Sequence, residues 1–511
     1  MKIDVRRNTI MGAVTGICNK LVVTFLPFVM RTIMIHFMGT QYLGLSSLFS
    51  SILNMLSLAE LGFGSALVFS MYKPIAENDE ETICALLNLY RIIYRIIGTV
   101  ILVAGIAISP FVNHFINGEV PPDINVQVLY FIYLFNTVVS YFLFAYKNSL
   151  LAAFQRNDIS SFVGTIMTAI EYGVQIILVI RFRNYYCYVA VFPVFTILGN
   201  IVRAAIVQRK YPQYVCKGSI IRKQKKEIIE KTLALASHKV GNTISTSLDS
   251  LVVSAFLGLS SVAIFGNYNY IVTTVMAMLW IVYSSMTAGI GNRMNLYSVE
   301  ENYNSFKALT SFNNFIMCWA TSCILFLYQP FMELWAGKEN LLGVSSVLVF
   351  SLYFYVYQSR KIVLVYKDAA GLWREDQVKP LVGAGLNLVL NLTLVRIIGI
   401  DGVIISSIVS FLLVEIPWES RTLYKYYFGK SVIEYFGIQI KAFLEAVPCW
   451  IAVGIACMIA PQSGVTCLIV RGILCVILPL PYLWLLYRKN SAFMNLLAKI
   501  IPMKALKYVN K

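Results

Sequence analysis

The chain has few charged residues for its length. Only 13% of its 511 residues are Asp, Glu, Lys or Arg, against about 25% in soluble domains. Hydrophobic residues make up 58%, and the mean hydropathy is +0.71. A soluble core of this size cannot bury so many apolar side chains, whereas lipid solvates them. The composition therefore excludes a soluble protein and indicates an integral membrane protein.

Patterns typical of catalytic and metal sites are also missing from the sequence. There is no P-loop, no nucleophile elbow and no pair of carboxylates in a loop, which argues against an ATP-driven pump and against an enzyme. The ten cysteines form no C-x-x-C pair and no cluster with histidine, so no metal or other cofactor is expected. The predicted outer loops are all short, which leaves no room for an external catalytic domain.

Long apolar runs dominate the chain instead. A spanning helix needs about 20 apolar residues, and fourteen runs are candidates. They are roughly 9–36, 41–72, 84–112, 125–146, 158–180, 185–207, 233–257, 261–290, 308–328, 343–366, 380–395, 401–420, 434–460 and 467–487. The runs are too long for barrel strands and rarely alternate. The predicted fold class is all-α, with about fourteen transmembrane helices.

The positions of Lys and Arg predict how these spans are oriented in the membrane. If the N-terminus is inside, the inner loops and tails hold 28 of the 42 Lys and Arg residues, the outer loops four and the spans ten. Membrane proteins show this bias towards the cytoplasmic side. Both termini are therefore predicted to be cytoplasmic, and the net charge of +17 reflects topology rather than nucleic-acid binding. The basic N-terminus lacks a small-residue cleavage site, which predicts that the first span is retained.

The most basic connection divides the chain into two parts. We predict an N-terminal six-helix lobe (1–207), a basic cytoplasmic linker (208–232), a second six-helix lobe (233–430) and two extra helices (431–487). The tail (488–511) mixes lysines with an apolar face, which is typical of an amphipathic helix on the inner leaflet. Two-repeat transporters often hold their substrate between the repeats.

Charges inside the predicted spans form the candidate site, because a charge at bilayer depth usually faces a cavity or a partner. Lys20 and Arg31 are 11 residues apart in span one, which places them on one helix face. The same spacing relates His238 to Asp249 in span seven. The other deep charges considered are Glu60, Arg91, Arg95, Glu171 and Lys239.

The cations among these residues are predicted to line a solvated cleft suited to a phosphate or diphosphate. They are Lys20, Arg31, Arg91, Arg95 and Lys239. Internal pairing is the alternative: Lys20 with Glu60, and Lys239 with Asp249. Arg91 and Arg95 have a further alternative, which is to snorkel to the inner surface. Rings such as Trp280 and Tyr357 either stack on sugars or belong to an interfacial belt.

Two segments carry a family resemblance. One is LAELGFG around Glu60 with YKPIAEND after it, and the other is SLDSLVVSAFLGLSSVAIFGNYNYI at 247–271. They resemble the polysaccharide transporter, or Wzx-like, family of the MOP superfamily, which also contains multidrug MATE exporters and the peptidoglycan lipid flippase. The span count and the division into lobes also fit, so the resemblance covers essentially the whole chain.

The resemblance implies a MATE-like fold with alternating access around a cationic cavity. It implies a flippase in a bacterial cell membrane that moves an undecaprenyl-diphosphate-linked oligosaccharide from the inner to the outer leaflet for cell-surface polysaccharide biosynthesis. It also implies a monomer that contacts membrane lipids and polysaccharide-assembly proteins. An ion gradient or the membrane potential drives some relatives, and the sequence does not choose between H+ and Na+. The candidates for coupling or gating here are Glu60, Glu171, His238 and Asp249. A MATE-type exporter of organic molecules and a membrane enzyme of glycan assembly are the alternatives.

Overall fold

The chain is helical throughout the part that the structure describes. The computed structural model describes residues 5–60, 63–220, 222–461, 463–488 and 493–494. These residues form helices joined by turns, with no strand among them. The predicted all-α class is thus confirmed, and it follows from the long apolar runs, because a helix in lipid satisfies its backbone hydrogen bonds internally. The chain divides into two compact units, 1–266 and 267–511; the predicted lobe boundaries stay a prediction.

The helices are numbered in chain order. The first unit holds α1 (Val5–Phe37), α2 (Thr40–Leu56), α3 (Phe63–Glu77), α4 (Glu80–Ile108), α5 (Val126–Phe142), α6 (Asn148–Ala153), α7 (Asn157–Phe182), α8 (Tyr185–Lys210), α9 (Arg222–Leu257) and the start of α10 (Leu259–Leu296). The second unit continues with α11 (Val299–Ala336), α12 (Val344–Ser359), α13 (Lys361–Ala369), α14 (Lys379–Ile398), α15 (Ile400–Ser410), α16 (Ile416–Leu423), α17 (Ile433–Met458), α18 (Gly464–Ile477) and α19 (Pro479–Tyr487). Short 3-10 turns lie at Ser57–Glu60, Ser109–Phe115, Ala145–Lys147 and Lys338–Asn340, and π-helical turns at Phe411–Glu415 and Tyr424–Phe428.

The chain is a multi-pass membrane protein, as predicted, but fourteen spans are not confirmed. Within the described residues, ten helical stretches are long and apolar enough to cross a membrane, or eleven if α5 and the bent segment after it form one span. Two predicted spans fall short because their helices break. The run 41–72 is interrupted by the turn Ser57–Glu60, and the run 343–366 is divided at Arg360 between α12 and α13.

Tight helix packing and buried tyrosines build the first unit. There α1 packs along α7, α5 along α8, and α2 against α9. Only glycine fits at position 44 of α2, because a Cβ there would lie 2.1 Å from the carbonyl oxygen of Leu259. Tyr133 and Tyr185 are buried, and their hydroxyls lie 3.2 Å apart. Pairing of this kind lets polar atoms enter an apolar interior.

The second unit is organised around α11, which packs against α12, α17 and α18. A capping box fixes its start: the Ser298 hydroxyl accepts a hydrogen bond from the Glu301 backbone N–H, and the Glu301 carboxylate accepts one from the Ser298 backbone N–H. Beside it, α14 packs along α15, and α12 along α15. Ile433 and Met458 of α17 stay 76% and 75% exposed, which suits helices whose outer faces meet lipid.

Candidate functional site

A carboxylate enclosed by tyrosines is the best-defined polar site of the first unit. Glu60 lies in the turn between α2 and α3. It accepts a hydrogen bond from the Tyr94 hydroxyl of α4 at 2.5 Å and another from the Tyr141 hydroxyl of α5 at 2.5 Å. Tyr90 donates in turn to Tyr94 at 3.1 Å. Short hydrogen bonds to a charged acceptor offset part of its desolvation. Among the described residues no cation pairs with Glu60, so the alternative Lys20–Glu60 pair does not form.

The two predicted cations of α1 have different surroundings. Lys20 is exposed and forms no ion pair with a described residue. Its neighbour Asn19 donates a hydrogen bond to the Thr165 hydroxyl of α7 at 3.1 Å, which anchors this part of α1. Arg31 is half-buried, and a Cβ added to Gly266 of α10 would meet its Nη1 at 3.6 Å. The structure therefore leaves Lys20 accessible and packs Arg31 against α10.

Arg91 of α4 lies next to the residues of that helix that contact the basic linker. Arg91 donates to the Asn88 side-chain oxygen at 2.7 Å, and Asn88 donates to the carbonyl of Gly218 in the linker at 2.9 Å. Arg95, one turn further along, is exposed. Neither arginine pairs with Glu60. The alternative that these two side chains reach the inner membrane surface stays a prediction.

The remaining predicted residues lie on α7 and α9. Glu171 of α7 is half-buried, and no described residue forms an ion pair with it. Asp249 of α9 is also half-buried. His238 and Lys239 belong to α9, but their side chains lie outside the described residues. Their grouping with the other deep charges therefore stays a prediction.

A buried network of six charges, which sequence reasoning missed, lies in the second unit. Its anions are Asp376, Glu415 and Glu419, and its cations are Arg360, Lys367 and Lys379. Arg360 lies 3.0 Å from Glu419 and 3.3 Å from Glu415. Lys379 contacts Glu419 and lies 3.0 Å from Glu415 and 3.5 Å from Asp376, which in turn lies 2.6 Å from Lys367. Each side chain is at most 12% exposed. The network thus joins the junction of α12 and α13 to α14 and to the helix that carries Glu415.

The sequence held a partial signal for this network. Glu415 and Glu419 are one helical turn apart in an apolar run, and Arg360 lies in another apolar run. Lys367 and Lys379, by contrast, look like ordinary inner-loop cations because Arg374 and Glu375 lie between them.

One carboxyl beside the network has a perturbed acidity. Burial raises the pKa of Asp368 above its ordinary value, although the charge of Lys367 and a hydrogen bond from the Trp373 indole at 3.0 Å oppose the shift. Asp368 forms no ion pair with a described residue. Asp368 accepts its hydrogen bond from the Trp373 indole, and the cations of this region form ion pairs with the other carboxylates.

An apolar groove of about 640 Å³ runs between α11, α12, α17 and α18. Its walls include Phe326, Leu348, Trp450 and Ile451, and Arg471 is the one charged residue among those that line it. Most of the other residues that line it are apolar. A groove of this composition suits an extended hydrocarbon chain better than a charged or strongly polar ligand.

Comparison with known proteins relates the sequence to one family. The family described as "Polysaccharide biosynthesis protein" matches residues 7–290, which is more than half of the chain. No curated protein gives a significant match. The matched range includes every residue proposed above for substrate binding and for coupling or gating.

Solved structures share the fold at low sequence identity. A structure of the lipid II flippase MurJ in an inward closed conformation is 14% identical, with a TM-score of 0.69, and the match covers 94% of this chain and 99% of that one. An inward-facing multidrug resistance MATE family transporter of the MOP superfamily is 15% identical, with a TM-score of 0.62, covering 81% of this chain and 98% of that one. The predicted MATE-like fold is confirmed, and these neighbours are transporters and flippases rather than enzymes.

Proposed function

We propose that this chain, which belongs to the polysaccharide biosynthesis protein family, is a flippase for a lipid-diphosphate-linked oligosaccharide. It moves an undecaprenyl-type repeat unit from the inner to the outer leaflet of a bacterial cell membrane by alternating access. In this proposal both termini are cytoplasmic, and the protein acts as a monomer beside other polysaccharide-assembly proteins. The observation that carries the proposal is the apolar groove of the second unit.

The groove supports a lipid-linked cargo for a physical reason. Each methylene group of a polyprenyl chain exposed to water costs about 0.8 kcal/mol, so such a cargo needs continuous apolar contact during transfer. Phe326, Leu348 and Ile451 supply that contact in a groove of about 640 Å³. Two of its walls, α17 and α18, belong to the extra helices predicted after the second lobe. The lipid II flippase, which also handles a lipid, matches more of this chain than the MATE transporter does.

The exposed cation of α1 supports an anionic head group. Lys20 has no carboxylate partner among the described residues, so its ammonium is available to a phosphate oxygen. An exporter of organic cations would instead need an acidic site. Arg31, Arg91, Arg95 and Lys239 complete the proposed substrate-binding set.

Coupling to H+ or Na+ is part of the same proposal. Glu60 is held by two phenol donors, which suits a gating or structural role. Glu171 is half-buried without an ion-pair partner among the described residues, which suits uptake of a cation. His238 and Asp249 stay in the proposed set on the sequence evidence alone.

Reconstitution tests this proposal directly. The full chain is inserted into liposomes that carry a fluorescent polyprenyl-diphosphate oligosaccharide in the inner leaflet, and a membrane-impermeant glycosidase reports sugar that reaches the outer leaflet. We expect protein-dependent exposure of the sugar above the level in empty liposomes. Export of an organic cation such as ethidium without any sugar translocation would instead favour the MATE-type alternative.

A further inference from the structure

Lys361 is a buried lysine enclosed by aromatic rings. It begins α13, directly after Arg360, and is only 4% exposed. Its Nζ lies 3.6 Å from the ring centre of Tyr357 and 5.0 Å from that of Trp280. Both rings are within the range in which an aromatic face attracts an ammonium group. The side chain is thus held between α12 and α10.

Lys361 differs from the neighbouring cations in having no carboxylate partner. Arg360, Lys367 and Lys379 each form ion pairs with Asp376, Glu415 or Glu419. Among the described residues, Lys361 forms neither an ion pair nor a hydrogen bond. Asp368 on the same helix accepts a hydrogen bond from Trp373 and does not pair with Lys361. The carboxylates of this region therefore make their direct contacts with other side chains.

A buried ammonium without a direct ion pair is unfavourable. Aromatic faces offset only part of the hydration that the ammonium loses. A methionine or leucine at this position would fill the same space without that cost. A buried lysine held only by aromatic faces, beside a network in which every other cation forms an ion pair, points to an anionic ligand from outside the chain.

We propose that Lys361, with Trp280 and Tyr357, is a phosphate-binding site that receives the diphosphate of the lipid-linked cargo. This assignment rests on the proposed function, because it takes the identity of the anion from it. The two rings hold the ammonium in place before the ligand arrives, which reduces the side-chain entropy lost on binding. Arg360 does not share this role, since its charge is neutralised by Glu415 and Glu419.

Binding of a short lipid diphosphate tests the site. The purified full chain in detergent is titrated with farnesyl diphosphate, with farnesol and with inorganic diphosphate. We expect Lys361→Met to weaken binding of farnesyl diphosphate by about 10-fold or more, because a charge-assisted contact is lost. Binding of farnesol should not change, and Lys361→Arg should retain most of the affinity.

A second lysine serves as the matched control. Lys430 also lies over an aromatic ring, with its Nζ 4.7 Å from the centre of Tyr303, but it forms an ion pair with Glu300 at 2.8 Å. Lys430→Met should leave the affinity for farnesyl diphosphate unchanged. Thermal unfolding checks the fold: Lys361→Met should melt at or above the wild-type temperature, whereas Lys379→Met should melt lower.

Three outcomes would overturn the inference. These are unchanged affinity for farnesyl diphosphate in Lys361→Met, a melting temperature lowered as far as in Lys379→Met, and inorganic diphosphate bound as tightly as farnesyl diphosphate. The last would make the ligand a soluble anion. Unchanged affinity in Lys361→Met, together with sugar translocation by the wild type, would defeat this site alone. Farnesyl diphosphate binding through Lys361 without translocation by the wild type would defeat the flippase proposal alone.

Discussion

The two units of the molecule stabilise buried charge in different ways. In the first unit, the Glu60 carboxylate is held by neutral phenols, those of Tyr94 and Tyr141. In the second, six charged side chains compensate one another through ion pairs. Loss of a phenol leaves a carboxylate with one donor fewer, whereas loss of one ion leaves its partners buried and unpaired. The comparison therefore predicts a larger loss of stability when one ion is removed from the second unit than when one phenol is removed from the first.

The largest effect is expected from breaking the ion network. Glu419→Gln leaves Arg360 with Glu415 alone and Lys379 with Glu415 and Asp376, and loss of one partner from a buried pair costs about 3–5 kcal/mol. We expect the free energy of unfolding, measured by SDS titration in mixed micelles, to fall by about this amount. Glu434→Gln is the control, because that carboxylate pairs with Lys307 at 3.8 Å and is 49% exposed. A similar change in both variants would remove the distinction between buried and exposed pairs.

An intermediate effect is expected at the tyrosines around Glu60. Tyr141→Phe removes a hydrogen bond to a charged acceptor, which is worth about 1.5–3 kcal/mol. Tyr90→Phe removes only a bond to the Tyr94 hydroxyl, worth about 0.5–1.5 kcal/mol. The same SDS titration should therefore rank Tyr141→Phe as the more destabilising change. The reverse order would show that packing, and not the charge of Glu60, determines the cost.

The smallest effect is expected at the half-buried carboxylate of Asp79, which caps α4. Its side chain accepts a hydrogen bond from the Thr82 backbone N–H at 3.0 Å. Hydrogen bonding with the side chain of Thr82 first, and with its backbone second, lowers the pKa of Asp79 below its ordinary value of 3.8. Because the pKa is lowered in the folded state, the Asp79 carboxylate stabilises the fold. This stabilisation is complete above pH 3.8 and is lost as the pH falls through the lowered pKa. Asp79→Asn keeps a capping side chain but removes its charge. We therefore expect the free energy of unfolding of this variant, measured at acid pH, to lack the pH dependence that Asp79 contributes.

Acid unfolding of Asp79→Ala provides the comparison for that prediction. The alanine variant should be slightly less stable than the wild type at neutral pH, because the first turn of α4 loses its cap. If the alanine and asparagine variants were equally stable at neutral pH, the hydrogen bond would not be the source of the contribution.

The sequence predicts features that depend on neighbouring residues, such as helices, better than contacts between residues that are far apart in the chain. Long apolar runs predict helices almost everywhere because a spanning helix satisfies its own backbone. Glu60 stands out in the sequence as a charge in an apolar run, but its partners Tyr94 and Tyr141 lie 34 and 81 residues away. Partners at that distance are a result of tertiary packing, which residue patterns do not record.

The ion network is a second case in which residue patterns do not predict which distant side chains pair. Lys367 and Lys379 have the sequence surroundings of an inner loop, yet their side chains are 3% and 4% exposed. Burial follows from pairing with Glu415, Glu419 and Asp376, and two of these belong to a different helix. Span two was predicted as continuous because its run is apolar, whereas the chain breaks at the turn that carries Glu60.

The most direct test of the central claim compares translocation by the wild type with that of two deep-cation variants. Lys20→Ala and Lys239→Ala are inserted into liposomes, and the initial rate of sugar exposure in the outer leaflet is measured at equal protein content. Lys73→Ala serves as the control, since that lysine is 83% exposed and pairs with Glu77 at 3.8 Å. We predict that both deep variants insert normally and lose translocation, while the control retains it. Wild-type rates in both deep variants would contradict the account of a cationic site for a lipid-diphosphate cargo.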